Sequence, residues 1–166
     1  MKKRFLAVLL LAALLTLPGC GKEKQTTFQV GDKVETYWFQ FTVDQVKTTE
    51  RWMDYQPQEG DRLAVCYLTL DSTFSEAVPM NWADFVLRWG DGEEDGTCPI
   101  EYQGQEQLPD EYDLVKGEER TGCLVFEVPQ GVTQAKLVFQ ELFNEGDSDR
   151  VYTEGDTYYV DVDLPA

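Results

Sequence analysis

The chain has 166 residues, with 31 acidic against 14 basic side chains, no histidine, and a formal net charge of −17. So acidic a surface repels phosphate backbones and speaks against nucleic acid as a partner. The missing histidine excludes Ser-His-Asp and Cys-His mechanisms and most zinc chemistry.

The first twenty residues stand apart. Lys2, Lys3 and Arg4 form a basic start, and Phe5 to Leu17 is a 13-residue run in which only Thr16 is polar. Crossing the hydrocarbon core takes about 20 apolar residues, whereas a run of this length suits the apolar region of a signal peptide. It ends in Leu17-Pro18-Gly19-Cys20, which resembles the lipobox of bacterial lipoproteins, with Pro18 an uncommon residue in that box. The resemblance implies cleavage before Cys20 and lipid on its sulfur. The chain is then held on the extracytoplasmic face of the cell membrane by more than one acyl chain, which anchors stably. Residues 1–19 are read as the signal peptide, 20–27 as the lipidated cysteine with a short tether, and 28–166 as one domain. Removing residues 1–19 takes away three basic residues and no acidic one, so the net charge becomes −20. What is left is enough for one domain burying about 70% of its unfolded surface. The stretch Gly21 to Thr27 spans at most about 25 Å when extended, which keeps the domain near the membrane. Lys22 and Lys24 are placed to sit among headgroups.

Beyond the tether the pattern is alternation of period two, punctuated by Gly, Asp, Asn and Pro, which signals strands joined by turns. A short strand is expected at 26–30. Tyr37, Phe39, Phe41 and Val43 then share one face, and Val46 breaks the parity, which predicts a bulge near Asp44 and Gln45. Thr48 to Gly60 reads as a long loop. Leu63 to Leu70 is apolar on both faces and reads as a central strand. Val78 to Trp82 is an aromatic-bearing connection in which Trp82 is expected in the core. Phe85, Leu87 and Trp89 alternate up to the turn Gly90-Asp91-Gly92, and a weaker strand is expected at 97–102. Leu124, Phe126 and Val128 share a face within 120–128, and Pro129-Gln130-Gly131 ends that strand. Strands follow at Ala135 to Leu142 and at Tyr158 to Leu164. Seven or eight short strands predict an all-β, immunoglobulin-like antiparallel β-sandwich preceded by the signal peptide.

The stretch Leu114-Val115-Lys116-Gly117-Glu118, followed by Gly122 to Pro129, resembles the late hairpin of a family of bacterial extracytoplasmic domains. That family is catalogued as a domain of unknown function, number 4352, with a telokin-like immunoglobulin fold. Val30-Gly31-Asp32, the strands near 37–46 and 62–70, and the closing Tyr158 to Leu164 fit its order. The resemblance covers about residues 26–164 and implies a fold and an extracytoplasmic location. It carries no catalytic residue.

Three constellations have chemical content. Asp91, Glu93 and Asp95, followed by Gly96, place carboxylates at alternate positions like the first half of a calcium loop. The second half departs from that pattern, since the twelfth position is Tyr102. Arg51, Trp52 and Tyr55 lie in the long loop and are residue types that dominate binding hot spots, which marks them as candidate partner contacts. The alternative is that Trp52 folds back as an apolar plug. Cys66, Cys98 and Cys123 allow at most one disulfide, and their spacing singles out no pair. No carboxylate pair stands out for hydrolysis, so no enzyme is expected. The leading expectation is a membrane-anchored, non-enzymatic binding or adaptor module for an envelope protein or peptide. The alternative is an acidic domain that binds or senses cations or small cationic ligands.

Overall fold

The computed structural model describes residues 26–92, 94–104, 106–144 and 152–166. Cys20, the signal peptide and Lys22 and Lys24 lie outside these residues, as does Glu93. The first half of the chain supplies β1 (Thr27–Gln29), β2 (Lys33–Glu35), β3 (Gln40–Thr49), β4 (Asp61–Asp71), β5 (Val78–Asn81) and, after a single 3-10 turn at Trp82–Asp84, β6 (Phe85–Arg88). The second half supplies β7 (Gly96–Thr97), β8 (Glu111–Leu114), β9 (Glu119–Pro129), β10 (Gln134–Asn144) and β11 (Tyr152–Asp163). One sheet runs β1-β11-β10-β6-β7, a second runs β2-β3-β4-β9, and β5 pairs with β8 as a ribbon. Strand pairs are antiparallel except β1 on β11, which is parallel. Among the described residues no helix is long and apolar enough to cross a membrane.

Period two decides what each strand buries. From β4, Ala64, Cys66, Leu68 and Leu70 enter the space between the sheets, together with Phe126 and Val128 of β9 and Leu137, Phe139, Val160 and Val162 of the facing sheet. Phe39, Phe41, Phe85 and Phe139 pack edge-on or tilted at its centre, with Phe39–Phe139 ring centroids 4.9 Å apart and Phe41–Phe85 5.3 Å apart. The other face of β4 is just as apolar. Leu63 and Val65 join Cys123 and Val125 of β9 in a separate outer cluster, covered by Trp52, Tyr55, Tyr67 and Ile100.

The expected sandwich is present, with eleven strands among the described residues where seven or eight were expected. Several of the additional strands are only two to four residues long, too short for alternation to mark them. The bulge falls where the parity break put it, between Val43 and Gln45. Tyr37 does not continue the inward row of Phe39 and Phe41. Thr36 Oγ1 accepts the Trp38 and Phe39 amides at 3.2 and 3.0 Å, a side-chain turn that starts the strand only at Gln40 and leaves Tyr37 57% exposed. The strand expected at 97–102 stops at Thr97, and the Ile100 amide turns instead to Val125 O of β9 at 2.7 Å.

Trp82, expected in the core, is 36% exposed. It opens the 3-10 turn, where Asn81 Oδ1 accepts the Ala83 amide at 3.0 Å and Asp84 Oδ2 accepts the Asn81 amide at 2.6 Å. This reciprocal cap holds the turn on β5 and aims Trp82 outward. Burial pushes the Asp84 carboxyl above its ordinary value, while the Asn81 amide draws it down. The folded chain therefore keeps this proton to higher pH than the unfolded chain does. Stability falls as pH rises from 3.8 through the raised folded value, and below that window both states are protonated. Relative to Asp84→Asn, the wild-type protein should lose stability across this window in a pH series of thermal melts; parallel curves for the two proteins would refute the assignment.

Candidate functional site

The outer cluster is roofed by two loops, each anchored on β9. The first is a tight hairpin in which Trp52 and Tyr55 exchange backbone hydrogen bonds of 3.1 and 2.8 Å. Its tip bends at Met53, with a φ of +53°, a left-handed conformation costing a non-glycine residue about 1 kcal/mol or more. Arg51 Nε donates to Met53 O at 2.7 Å and its guanidinium lies 3.6 Å from Asp54, bracing that tip. Glu127 clamps the loop with both oxygens: one accepts the Tyr55 hydroxyl and the other the Gln58 amide at 2.7 Å. The hydrogen bond to Glu127 raises the Tyr55 hydroxyl to about 12, so it keeps its proton.

The second loop closes the free edge of β9. Ile100 N donates to Val125 O, Cys123 N to Glu106 O at 2.8 Å, and Leu108 N to Cys123 O at 2.9 Å. Such cover hides an edge that is otherwise a template for aggregation. Gly122 makes the approach possible, since a Cβ there would lie 2.6 Å from Leu108 Cδ2 and 3.0 Å from Glu106 O. Gln107 is buried and acts as the internal staple. Its Nε2 donates to Ile100 O and Glu101 O at 3.0 and 3.2 Å, and its Oε1 accepts the Gln103 amide at 2.9 Å. Asp110 ties this loop to the 3-10 turn, accepting the Tyr102 amide on Oδ1 at 2.8 Å and the Trp82 amide on its carbonyl at 2.7 Å.

Between the loops lies an open cleft of about 800 Å³. Tyr55 and Trp82 stand on its walls, Pro99 and Ile100 contribute aliphatic surface, and Glu101, Asp110 and Glu111 supply carboxylates. The cleft thus joins one residue expected as a contact, Tyr55, to residues from far along the chain. The other two of the trio have different surroundings. Arg51 is exposed at the hairpin tip, and Trp52 packs half-buried on the outer cluster. Trp82 carried an aromatic signal in the sequence, whereas Glu101, Asp110 and Glu111 were three acidic residues among 31.

The remaining candidates lie elsewhere. Asp91 is exposed beyond β6. Asp95 folds back, its Oδ2 accepting the Gly92 amide at 2.9 Å, so it serves the turn. Glu93 is outside the described residues, among which no three acidic or cysteine side chains cluster around a common point. Cys66, Cys98 and Cys123 are free thiols. Cys66 and Cys123 lie on paired strands but face opposite sides of the sheet, one in the sandwich core and one in the outer cluster, and burial pushes each up to about 12. A wider depression of about 1030 Å³ covers the outer face of the five-stranded sheet. Its polar groups bond one another: Gln29 and Lys136 both donate to Asp161, and Gln134 donates to Asp163 at 3.1 Å. The Lys136 ammonium holds the Asp161 carboxyl below its ordinary range.

Because Trp52 seats the hairpin on Leu63, Val65, Cys123 and Val125, Trp52→Ala should cost about 2 kcal/mol of stability. That is well beyond the roughly 0.5 kcal/mol of an ordinary surface change, and chemical denaturation measures it. A loss of 0.5 kcal/mol or less would show that the hairpin does not depend on this contact.

No curated protein matches the sequence. Among solved structures, the chain is similar to ycdA of Bacillus subtilis, a presumed lipoprotein, at 18% identity and a TM-score of 0.56, over 85% of this chain and 39% of that one. The chain thus spans about two fifths of that protein, and a likeness at this identity shows the fold. The yjhA protein of Bacillus subtilis is similar at 19% identity and a TM-score of 0.49, over 68% of this chain and 79% of that one. An uncharacterized β-sandwich protein of Clostridium difficile follows at 12% identity and a TM-score of 0.48, over 87% and 99%. The family profile described as Domain of unknown function (DUF4352) matches residues 28–150, most of the sandwich, and the chain belongs to that family.

Proposed function

We propose that this protein is a non-enzymatic recognition module, tethered through lipid on Cys20 to the extracytoplasmic face of the cell membrane, that takes a basic peptide segment of an envelope protein into its cleft. The observation that carries the reading is the composition of that cleft. Two aromatic side chains, Tyr55 and Trp82, flank three carboxylates, Glu101, Asp110 and Glu111, in one open groove. A lysine or arginine side chain suits both halves of this surface. Its cation is attracted to an aromatic face by about 0.5–2 kcal/mol, its stem packs on aliphatic surface such as Pro99 and Ile100, and carboxylates complete the charge. The acidic field of the whole molecule adds steering toward basic partners. Tyr55 is the contact residue of the hairpin in this reading, while Arg51 and Trp52 position it.

The alternative reading, a site for cations or small cationic ligands, draws on the same cleft. Calcium at Asp91, Glu93 and Asp95 has weaker support, because the Asp95 carboxylate is already engaged by the Gly92 amide.

Two measurements test the proposal. The native protein should carry acyl mass on Cys20 and partition into detergent, whereas Cys20→Ala should remain soluble or uncleaved; a mature protein that begins elsewhere or lacks acyl mass refutes the tether. A short lysine-rich peptide, titrated by calorimetry at fixed salt, should bind the native protein and lose affinity when its lysines are acetylated. Trp82→Ala should weaken binding about 30-fold, the effect of losing a 2 kcal/mol hot spot, while leaving the melting temperature nearly unchanged. Equal affinity of the native and Trp82→Ala proteins would sink the cleft as the binding site.

A further inference from the structure

The two ends of the sandwich differ in a way that the tether makes meaningful. β1 runs parallel to β11, with Thr27 beside Tyr159 and Gln29 beside Asp161, and Thr26 O accepts the Tyr159 amide at 2.8 Å. Moving back along the chain from Thr26 therefore leads toward the start of β11 and the finish of β10. The same end holds the start of β3 and the finish of β4, since Gln40 pairs with Asp71. Thr26, the first described residue, therefore enters the sheet from the side of this end.

It is also the aromatic end. Tyr37 and Trp38 come from the β2–β3 turn, Phe74 from the loop after β4, and Leu142 and Phe143 from the last residues of β10. Ring centroids are 5.0 Å apart for Trp38–Phe74, 5.3 Å for Tyr37–Phe143 and 5.4 Å for Trp38–Phe143. Tyr37 is 57% and Leu142 49% exposed. An apolar cleft of about 260 Å³ opens between Trp38, Phe74, Val78, Met80 and Leu142. The side chains are held in place from below. Glu141 continues the inward row of Ala135, Leu137 and Phe139, where it accepts the Tyr37 amide at 2.6 Å and the Tyr158 hydroxyl at 2.9 Å, and the same alternation leaves Leu142 facing out. Amphipathic aromatic rings beside an aliphatic side chain are the residues that settle at the headgroup boundary of a bilayer.

We propose that this aromatic end docks on the membrane surface. Tyr37 and Leu142 insert at the headgroup boundary and Trp38 lies directly behind them, so that the lipid tether is joined by a second, non-covalent contact that orients the domain. The proposal rests on lipidation of Cys20. That tether, at most about 25 Å long from Gly21 to Thr27, leaves from the docking end and confines it to the bilayer, and a protein partner is not needed to cover the patch. Glu35, Glu154 and Asp156 border the patch, so zwitterionic headgroups suit it better than anionic ones. The ten residues of β3 then carry the root of the Tyr55 hairpin about 30 Å away from the lipid.

The test uses the full lipidated protein in phosphatidylcholine vesicles whose acyl chains carry bromine, a short-range quencher of tryptophan. Quenching is expected, and it should disappear in Trp38→Phe, which keeps an aromatic ring in the cluster and leaves Trp52, Trp82 and Trp89 to report. Leu142→Ser should reduce quenching with little change in melting temperature, because that side chain is exposed, whereas Tyr37→Ser should reduce quenching and also lower the melting temperature through its lost contacts with Trp38, Phe74 and Phe143. Protein that floats with the vesicles while Trp38 escapes quenching overturns the docking and assigns the patch to a protein partner or a second copy. Protein that lacks acyl mass and fails to float overturns the tether instead, and the docking with it.

Discussion

β4 is apolar on both faces, and the rest of the molecule is arranged to keep water from each. Leu63 and Val65 on one side, and Ala64, Cys66, Leu68 and Leu70 on the other, are all essentially without solvent contact. The facing sheet covers the inner row, as in any sandwich. The outer row has no third sheet above it, so two loops must supply the cover. Burying one Leu or Val side chain contributes about 1.5–3 kcal/mol, enough to outweigh the strain at Met53 and to order loops that are otherwise long and polar. The cleft is a by-product of that cover, since it is the seam where the two loops fail to meet.

The seam is kept open by polar staples. Glu127 holds one side through Tyr55 and Gln58, Gln107 holds the other through Ile100, Glu101 and Gln103, and Asp110 joins that side to Trp82. The staples bond mostly to backbone groups, and of the side chains that line the cleft they engage the Tyr55 hydroxyl and one oxygen of Asp110. Membership of a family of unknown function brings an architecture, and chemistry comes only from the site that a particular chain builds on it. In this chain the site combines aromatic faces with carboxylates on a strongly acidic molecule, which is the chemistry that the proposal of a basic partner rests on.

Buried polar groups elsewhere serve the same ordering role. Arg62 is 6% exposed, yet its guanidinium donates to Pro165 O at 2.7 Å and Val132 O at 2.8 Å, closing the end of the sandwich opposite the aromatic patch. Glu141 closes the aromatic end in the same manner. Both side chains make hydrogen bonds to backbone groups, which lowers the cost of burying a polar group, although Arg62 Nε is left without a partner among the described residues. The described residues are therefore polarised, with an aromatic end on the side from which β1 enters and a polar, Arg62-pinned end opposite it.

The sequence by itself determined the sandwich, the two-faced central strand, the bulge at Val43 and Gln45, and the acidic field. Each of these follows from local alternation or from composition, which need no knowledge of distant contacts. It also marked Arg51, Trp52 and Tyr55 together as candidate contacts, without separating their roles. Only the tertiary structure decided that Trp52 is a seat for the hairpin, that Trp82 points outward, and that Tyr37 leaves the inward row of Phe39 and Phe41. The reason is physical. A period of two tells which side chains share a face of one strand, but it does not tell which loop, elsewhere in the sequence, will cover that face. Tyr55, Trp82 and Glu111 meet because β4 and β9 pair across the chain and both need an outer roof, and that demand exists only after the sheet has formed.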